Sequence, residues 1–148
     1  MWDTDQEEAI ERGNLVHLIL SKINTSHDIE FVLTDFINSG EIKERDASKL
    51  KKSITNIITH PDLKNYYTDS YTIYNEQDII TTNGNIIRPD RLVIKDNHAI
   101  IIDYKTGAED IKHKSQLDNY ASIINDMGYN VLKKILVYIN HSVKIVQV

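Results

Sequence analysis

The sequence predicts an α/β fold, on three observations. In the first half of the chain apolar residues recur at helical spacing. In the second half they gather into short runs rich in Ile, Val, Tyr and Thr, bounded by turn residues. One further helical segment interrupts those runs, so the order reads helices, three strands, a helix, two strands.

Each element has its own signal. Asp3 to Ile23 carries dense apolar positions behind an acidic start, as the helix dipole prefers, and Leu15 to Leu20 is apolar except for His17. Asp28 to Asn38 reads as a second helix, with Asp28 as its cap and Gly40 as its stop. Asp46 to Thr59 reads as a third, ending before His60-Pro61, and Pro61 to Tyr66 as a short helical turn. Tyr71 to Ile80, Ile86 to Lys95 and Ala99 to Lys105 read as strands, with hairpin turns at Asn83-Gly84 and Asp96-Asn97. Glu109 to Met127 is helical, stopped by Gly128, and Val131 to Ile139 and Val143 to Val148 close the chain as strands. There is no repeat, low-complexity tract or linker. The 148 residues are therefore read as a single domain, with a mainly helical part over 1–68 and a sheet core with one crossover helix over 69–148.

Composition narrows the chemistry. With 41% hydrophobic and 26% charged residues the chain looks like an ordinary globular protein. No apolar run approaches the roughly 20 residues that span a bilayer, and the N-terminus lacks a basic-then-apolar export pattern. There are no cysteines, which excludes disulfides, thiolate zinc sites, iron–sulfur clusters and cysteine nucleophiles together. These features lead to an expectation of a cytoplasmic protein with no membrane partner. Any metal site must use Asp, Glu, His, carbonyls and water, a set suited to Mg²⁺ or Mn²⁺. The net charge of −5 argues against retention on nucleic acid by bulk charge, though not against an enzyme acting on it.

The sharpest feature is a hairpin, "IIRPDRLVIKDNHAIIIDYKTG", fit for burial yet carrying two acids and a lysine. If Asp96-Asn97 is a two-residue loop, Lys95 pairs with His98, and the same register sets Asp90 directly opposite Asp103. Opposed residues share a sheet face, with Cβ atoms roughly 4.5–5.5 Å apart. Lys105, two residues beyond Asp103, points to that face too. Adjacent carboxylates repel unless something neutralises them, and a divalent cation does so with hard oxygen ligands. The plainer reading is a buried Asp–Lys ion pair beside a turn aspartate.

These residues extend to a family pattern. Arg88-Pro89-Asp90-Arg91 followed by Ile101-Ile102-Asp103-Tyr104-Lys105-Thr106-Gly107 resembles the PD-(D/E)XK nuclease superfamily, and within it the RecB-like nucleases at the C-termini of RecB and AddA helicase–nucleases. That subfamily adds G-x-x-x-H upstream, here Gly13 to His17, and Q-x-x-x-Y after the lysine, here Gln116 to Tyr120. The four motifs occur in the expected order and the similarity covers most of the chain.

The resemblance implies an αβββαβ mixed sheet flanked by helices, with extra N-terminal helices. It implies Asp90 and Asp103 as metal-binding carboxylates, Lys105 as the catalytic lysine, His17 as a further metal ligand and the Tyr104 carbonyl as another. Gln116 and Tyr120 match positions lining the site or the DNA path. Each has an alternative: His17 as a hydrogen-bonded core histidine, and Tyr120 as a packing residue alongside Leu117 and Ile124. Glu76 matches a glutamate often found before the PD motif. A two-residue Asn83-Gly84 loop, however, would set it opposite Arg91, on the other face from Asp90, as a salt bridge; a bulge would change that phase.

The activity implied is that of a Mg²⁺- or Mn²⁺-dependent DNA exonuclease. It would be the nuclease module of a RecBCD- or AddAB-type repair helicase, acting on single-stranded DNA ends and excised from a larger chain. Helicase domains, and a second subunit, would be its partners. The missing cysteines match the branch without an iron–sulfur cluster, and no G-x-x-x-x-G-K-[ST] phosphate loop is present to bind a nucleotide. Two alternatives remain: an inert DNA-binding or assembly module with a vestigial site, and a stand-alone endonuclease.

Overall fold

The computed structural model describes residues 2–140 and 142–148, with side chains described from Asp5 onward. The chain divides into two compact units, Met1–Asp69 and Ser70–Val148. Among the described residues it forms four α-helices and a mixed five-stranded sheet, an α/β fold. No helix among them is long and apolar enough to cross a membrane.

The first unit holds α1 (Trp2–Leu20), α2 (Ile29–Asn38) and α3 (Glu44–Ile58). Helix α1 ends at Leu20 rather than Ile23, because the N–H groups of Lys22 and Ile23 close tighter turns on Ile19 and Leu20. Asp28 precedes α2 as predicted, but it does not cap it through its side chain. Its carboxylate turns back to accept from the N–H groups of Asn24 and Thr25, each at 3.0 Å, and so closes the 3₁₀ turn before the helix. Gly40, with φ +79°, stops α2 while the Glu41 N–H reaches back to the Phe36 carbonyl. Helix α3 starts at Glu44, earlier than Asp46, after Lys43 in extended conformation. Helices α2 and α3 pack together, and Leu33 and Phe36 of α2 and Leu50, Ile54 and Ile57 of α3 are buried. Each such side chain contributes about 1.5–3 kcal/mol when fully buried.

The second unit is built on the sheet order β1-β4-β5-β6-β7. Its strands are β1 (Thr72–Asn75), β4 (Arg91–Lys95), β5 (His98–Lys105), β6 (Asn130–Ile139) and β7 (Val143–Gln147), with α4 (Ile111–Asp126) between β5 and β6. Among the described strands only the β5–β6 pair is parallel, which is why a helix must carry the chain across there. Asp110 caps α4 by accepting from the Lys112 N–H at 2.9 Å. Leu117, Tyr120, Ala121 and Ile124 of α4 pack on Leu92, Ala99, Ile101, Leu136 and Tyr138 of the sheet.

Two strands predicted as continuous are each broken. Tyr71 to Ile80 becomes β1 and β2 (Ile79–Ile80), and Ile86 to Lys95 becomes β3 (Ile86–Ile87) and β4; β2 and β3 form a two-stranded ribbon of their own. The breaks face each other. Glu76 sits in the left-handed region at φ 47°, and Pro89 offers no N–H to the ladder. The ribbon pairs Ile79 with Ile87 and Ile80 with Ile86, the same register as β1 with β4.

That register differs by one residue from the two-residue loop read at Asn83-Gly84. The Thr81 N–H donates to the Asn85 carbonyl at 2.7 Å, leaving a three-residue loop of Thr82, Asn83 and Gly84, with Gly84 at φ +83°. Asn75, not Glu76, therefore lies opposite Arg91, and the Arg91 guanidinium donates to the Asn75 side chain at 3.1 Å. At the other hairpin the turn is as read. Asp96 and Asn97 both take positive φ, 50° and 66°, and Lys95 pairs with His98.

Candidate active site

The β4–β5 register decides the site. With Arg91 opposite Ile102, Asp90 at the mouth of β4 stands beside Asp103 in β5. The two are joined reciprocally: the Asp90 N–H donates to Oδ1 of Asp103 at 3.0 Å, and the Tyr104 N–H donates to Oδ2 of Asp90 at 2.8 Å. Each carboxylate thus accepts a hydrogen bond from the other strand's backbone.

Lys105 lies on the same face. Its Nζ is 2.9 Å from Oδ2 of Asp103 and donates to Oε1 of Gln116 at 2.6 Å. The Gln116 amide then donates to the Tyr120 hydroxyl at 2.9 Å. Gln116 and Tyr120 are one turn apart on α4, so the helix that covers the sheet also aims the lysine. Tyr120 is buried in the α4 core, as its packing reading has it, and its hydroxyl is tied into this chain of polar groups.

Glu76 joins the group from the end of β1. Its N–H donates to the Asp90 carbonyl at 3.0 Å, and carboxylate oxygens of Glu76 and Asp90 lie within 4.8 Å of one another. The expected pairing of Glu76 with Arg91 on the opposite face is corrected here. The three-residue loop shifts the phase by one and brings Glu76 beside Asp90. Tyr104 contributes its backbone between Asp103 and Lys105, while its buried side chain alternates to the other face. His17 belongs to the helical unit, half-buried in the last turn of α1, one turn past the buried Gly13.

Electrostatics mark Asp103. Only 2% exposed, its carboxyl is pushed up to about 6, first by burial and then by the Asp90 charge, against the opposing pull of Lys105. Burial, together with the charges of Asp103 and Asp90, likewise raises the Tyr120 hydroxyl, which Gln116 partly offsets. Crowded acids at this end of the hairpin are what a divalent cation would relieve. The carboxylate oxygens of Glu76 and Asp90, within 4.8 Å of one another, are hard donors of the kind a divalent cation takes.

Two supporting interactions are not legible in the sequence. The Asn140 side chain clamps Gly107 from both sides, accepting from its N–H at 3.0 Å and donating to its carbonyl at 3.1 Å, and so fixes the loop that leaves Lys105. His113 Nδ1 lies 2.8 Å from the Tyr138 hydroxyl, and Tyr138 is the register partner of Lys105. Only the parallel β5–β6 register reveals that neighbourhood, and nothing in the local sequence sets it.

Comparison with known proteins adds one relative. The chain is 26% identical to an ATP-dependent helicase/nuclease subunit, of the AddA type, from Clostridioides difficile (strain 630), over 175 aligned residues that cover 93% of this chain. It spans 14% of that protein's length. No family model matches the chain. A crystal structure of the protein SSO0001 aligns with 78% of this chain and 60% of its own, at 22% identity and a TM-score of 0.38.

Proposed function

We infer that the chain is the nuclease module of an AddA- or RecB-type helicase–nuclease, a metal-dependent DNA exonuclease acting on single-stranded ends. The observation that carries this reading is the convergence of Asp90, Asp103 and Lys105 on one face at the end of a hairpin. The four ordered motifs and the similarity to a helicase/nuclease protein support it. Helicase domains of a parent chain, and a second subunit, are the partners this reading implies, and the cytoplasm its location.

Asp90 and Asp103 would hold the ion, with Glu76 and the Tyr104 carbonyl as further ligands; His17 is added on the strength of its motif. When bound, Mg²⁺ or Mn²⁺ polarises phosphate oxygens and lowers the pKa of water. The residues do the rest. Lys105, held by Asp103 and Gln116, aims a positive charge at the negative charge on the phosphoryl oxygens and orients the attacking water. In-line hydrolysis adds the water oxygen to phosphorus and breaks the P–O3′ bond, and O3′ takes a proton to leave a 3′-hydroxyl. Lys105, a donor only, takes the Gln116 oxygen, which leaves the Gln116 amide nitrogen to donate to the Tyr120 hydroxyl.

The test is Mg²⁺-dependent digestion of single-stranded DNA by the wild type and by Asp103→Ala and Lys105→Ala. Each variant is expected to lose activity by about 10²-fold or more. Undiminished cleavage by either variant overturns the reading.

A further inference from the structure

Beside the carboxylates lies a cavity that the chemistry above does not use. It has a volume of about 210 Å³, and its walls include Tyr74, Gln77, Pro89, Leu92, Ile124 and Tyr129. This is smaller than the roughly 300–1,000 Å³ of sites for drug-sized ligands, so it suits a single ring system. Tyr74 and Leu92 are register partners on the face that carries Asp90 and Asp103. Gln77 follows Glu76 in the chain and Pro89 precedes Asp90, so the cavity begins where the acid cluster ends.

The lining is mixed in a particular way. Two aromatic rings and several aliphatic side chains offer flat apolar contact. The Tyr74 and Tyr129 hydroxyls and the Gln77 carboxamide make no hydrogen bond among the described residues, so donors and acceptors stand ready for a ligand's polar edge. Asp78, also in the wall, has its charge matched by Arg88, whose Nε is 2.6 Å from its carboxylate. An anionic strand would therefore meet no unbalanced charge there.

We propose that this cavity is a nucleobase subsite, taking the base of a nucleotide adjacent to the scissile phosphate of a single-stranded DNA. It rests on the nuclease reading and deepens it. A base seated against Tyr74 or Tyr129 is unstacked from its neighbour, and its phosphate lies toward the cation that Asp90 and Asp103 would hold. Because every base has a π-face, such a subsite selects single strands with little regard to sequence. Gln77 would add a modest preference through the base edge.

The probe is oligo-dT against an all-abasic deoxyribose-phosphate strand of the same length, which keeps the charge and removes the bases. Binding is measured by fluorescence anisotropy with Ca²⁺, and cleavage separately with Mg²⁺. The wild type is expected to bind oligo-dT about tenfold or more tightly than the abasic strand, the size of losing one base stack. Tyr74→Leu and Gln77→Ala, the second an exposed position, are each expected to narrow that difference while leaving abasic binding unchanged. Equal wild-type affinity for the two strands overturns the subsite, as does a difference that neither variant narrows. Base-dependent binding without cleavage would sink the nuclease reading alone. Cleavage with base-independent binding would sink the subsite alone, and binding to neither strand would sink both.

Discussion

Asp90 and Asp103 exchange support across two strands: the N–H of Asp90 holds the Asp103 carboxylate, and the N–H after Asp103 holds the carboxylate of Asp90. Neither acid is positioned by its rotamer alone. Alanine at either position keeps these backbone donors and removes one carboxylate, so Asp90→Ala and Asp103→Ala should each abolish Mg²⁺-dependent stabilisation as well as cleavage. In the wild type, Mg²⁺ at about 100 times its dissociation constant should add about 2.7 kcal/mol of stability, read as a rise in Tm. A rise of the same size in both variants would place the ion elsewhere.

Asp103 makes stability depend on pH in a particular direction. Its folded-state carboxyl is raised from 3.8 to about 6. The folded state therefore binds the proton more tightly, and the stability this confers is present below about pH 4 and lost as pH rises through about 6. The shift corresponds to about 3 kcal/mol at most. In chelator, Asp103→Asn should become progressively more stable than wild type between those limits, as followed by urea denaturation. A difference that is flat with pH would contradict the buried, acid-crowded environment. Added Mg²⁺ should oppose the trend in the wild type, because it binds the ionised form.

Gln116 and Tyr120 form a hydrogen-bonded chain to Lys105, and on the proposed reading they act on the lysine rather than on the substrate. Gln116→Ala and Tyr120→Phe should lower kcat by about 10- to 100-fold, the usual cost of removing a group that orients a site residue. KM should stay near the wild-type value. Gln116→Glu, which keeps an oxygen for Lys105, should retain more activity than Gln116→Ala. If KM rises and kcat holds, the pair contacts DNA directly instead.

The Asp96-Asn97 turn is the mechanical origin of the site register. Both residues take positive φ, which a β-branched side chain tolerates poorly. Asp96→Val should cost about 1–2 kcal/mol in thermal or urea unfolding, whereas Asp96→Gly should be near neutral or stabilising. Equal effects of the two would show that backbone strain at this turn is not what fixes the register.

Legibility tracks the range of the determining interaction. The β4–β5 hairpin is readable because a two-residue turn sets its register locally, and with it the placing of Asp90, Asp103 and Lys105. The helices are readable from periodicity, but their ends depend on particular bonds, such as the Asp28 carboxylate turning back to Asn24 and Thr25. Glu76 is misplaced by the sequence pattern because Asn83-Gly84 resembles a two-residue turn, while the chain uses Thr82 as well. The Tyr138–His113 pair and the Asn140–Gly107 clamp depend on a parallel crossover and on residues far apart in sequence, which no local pattern encodes.

The Thr82–Gly84 loop lies outside the acid cluster, yet its length decides which side chain from the first arm arrives beside Asp90. Loop length thus works as a phase setting for the acid cluster. A one-residue deletion there would swing Glu76 to the far face and leave every acid of the site chemically intact. A lineage could gain or lose a carboxylate, and retune its metal affinity, by a change at a solvent-exposed tip where insertions and deletions are easily tolerated.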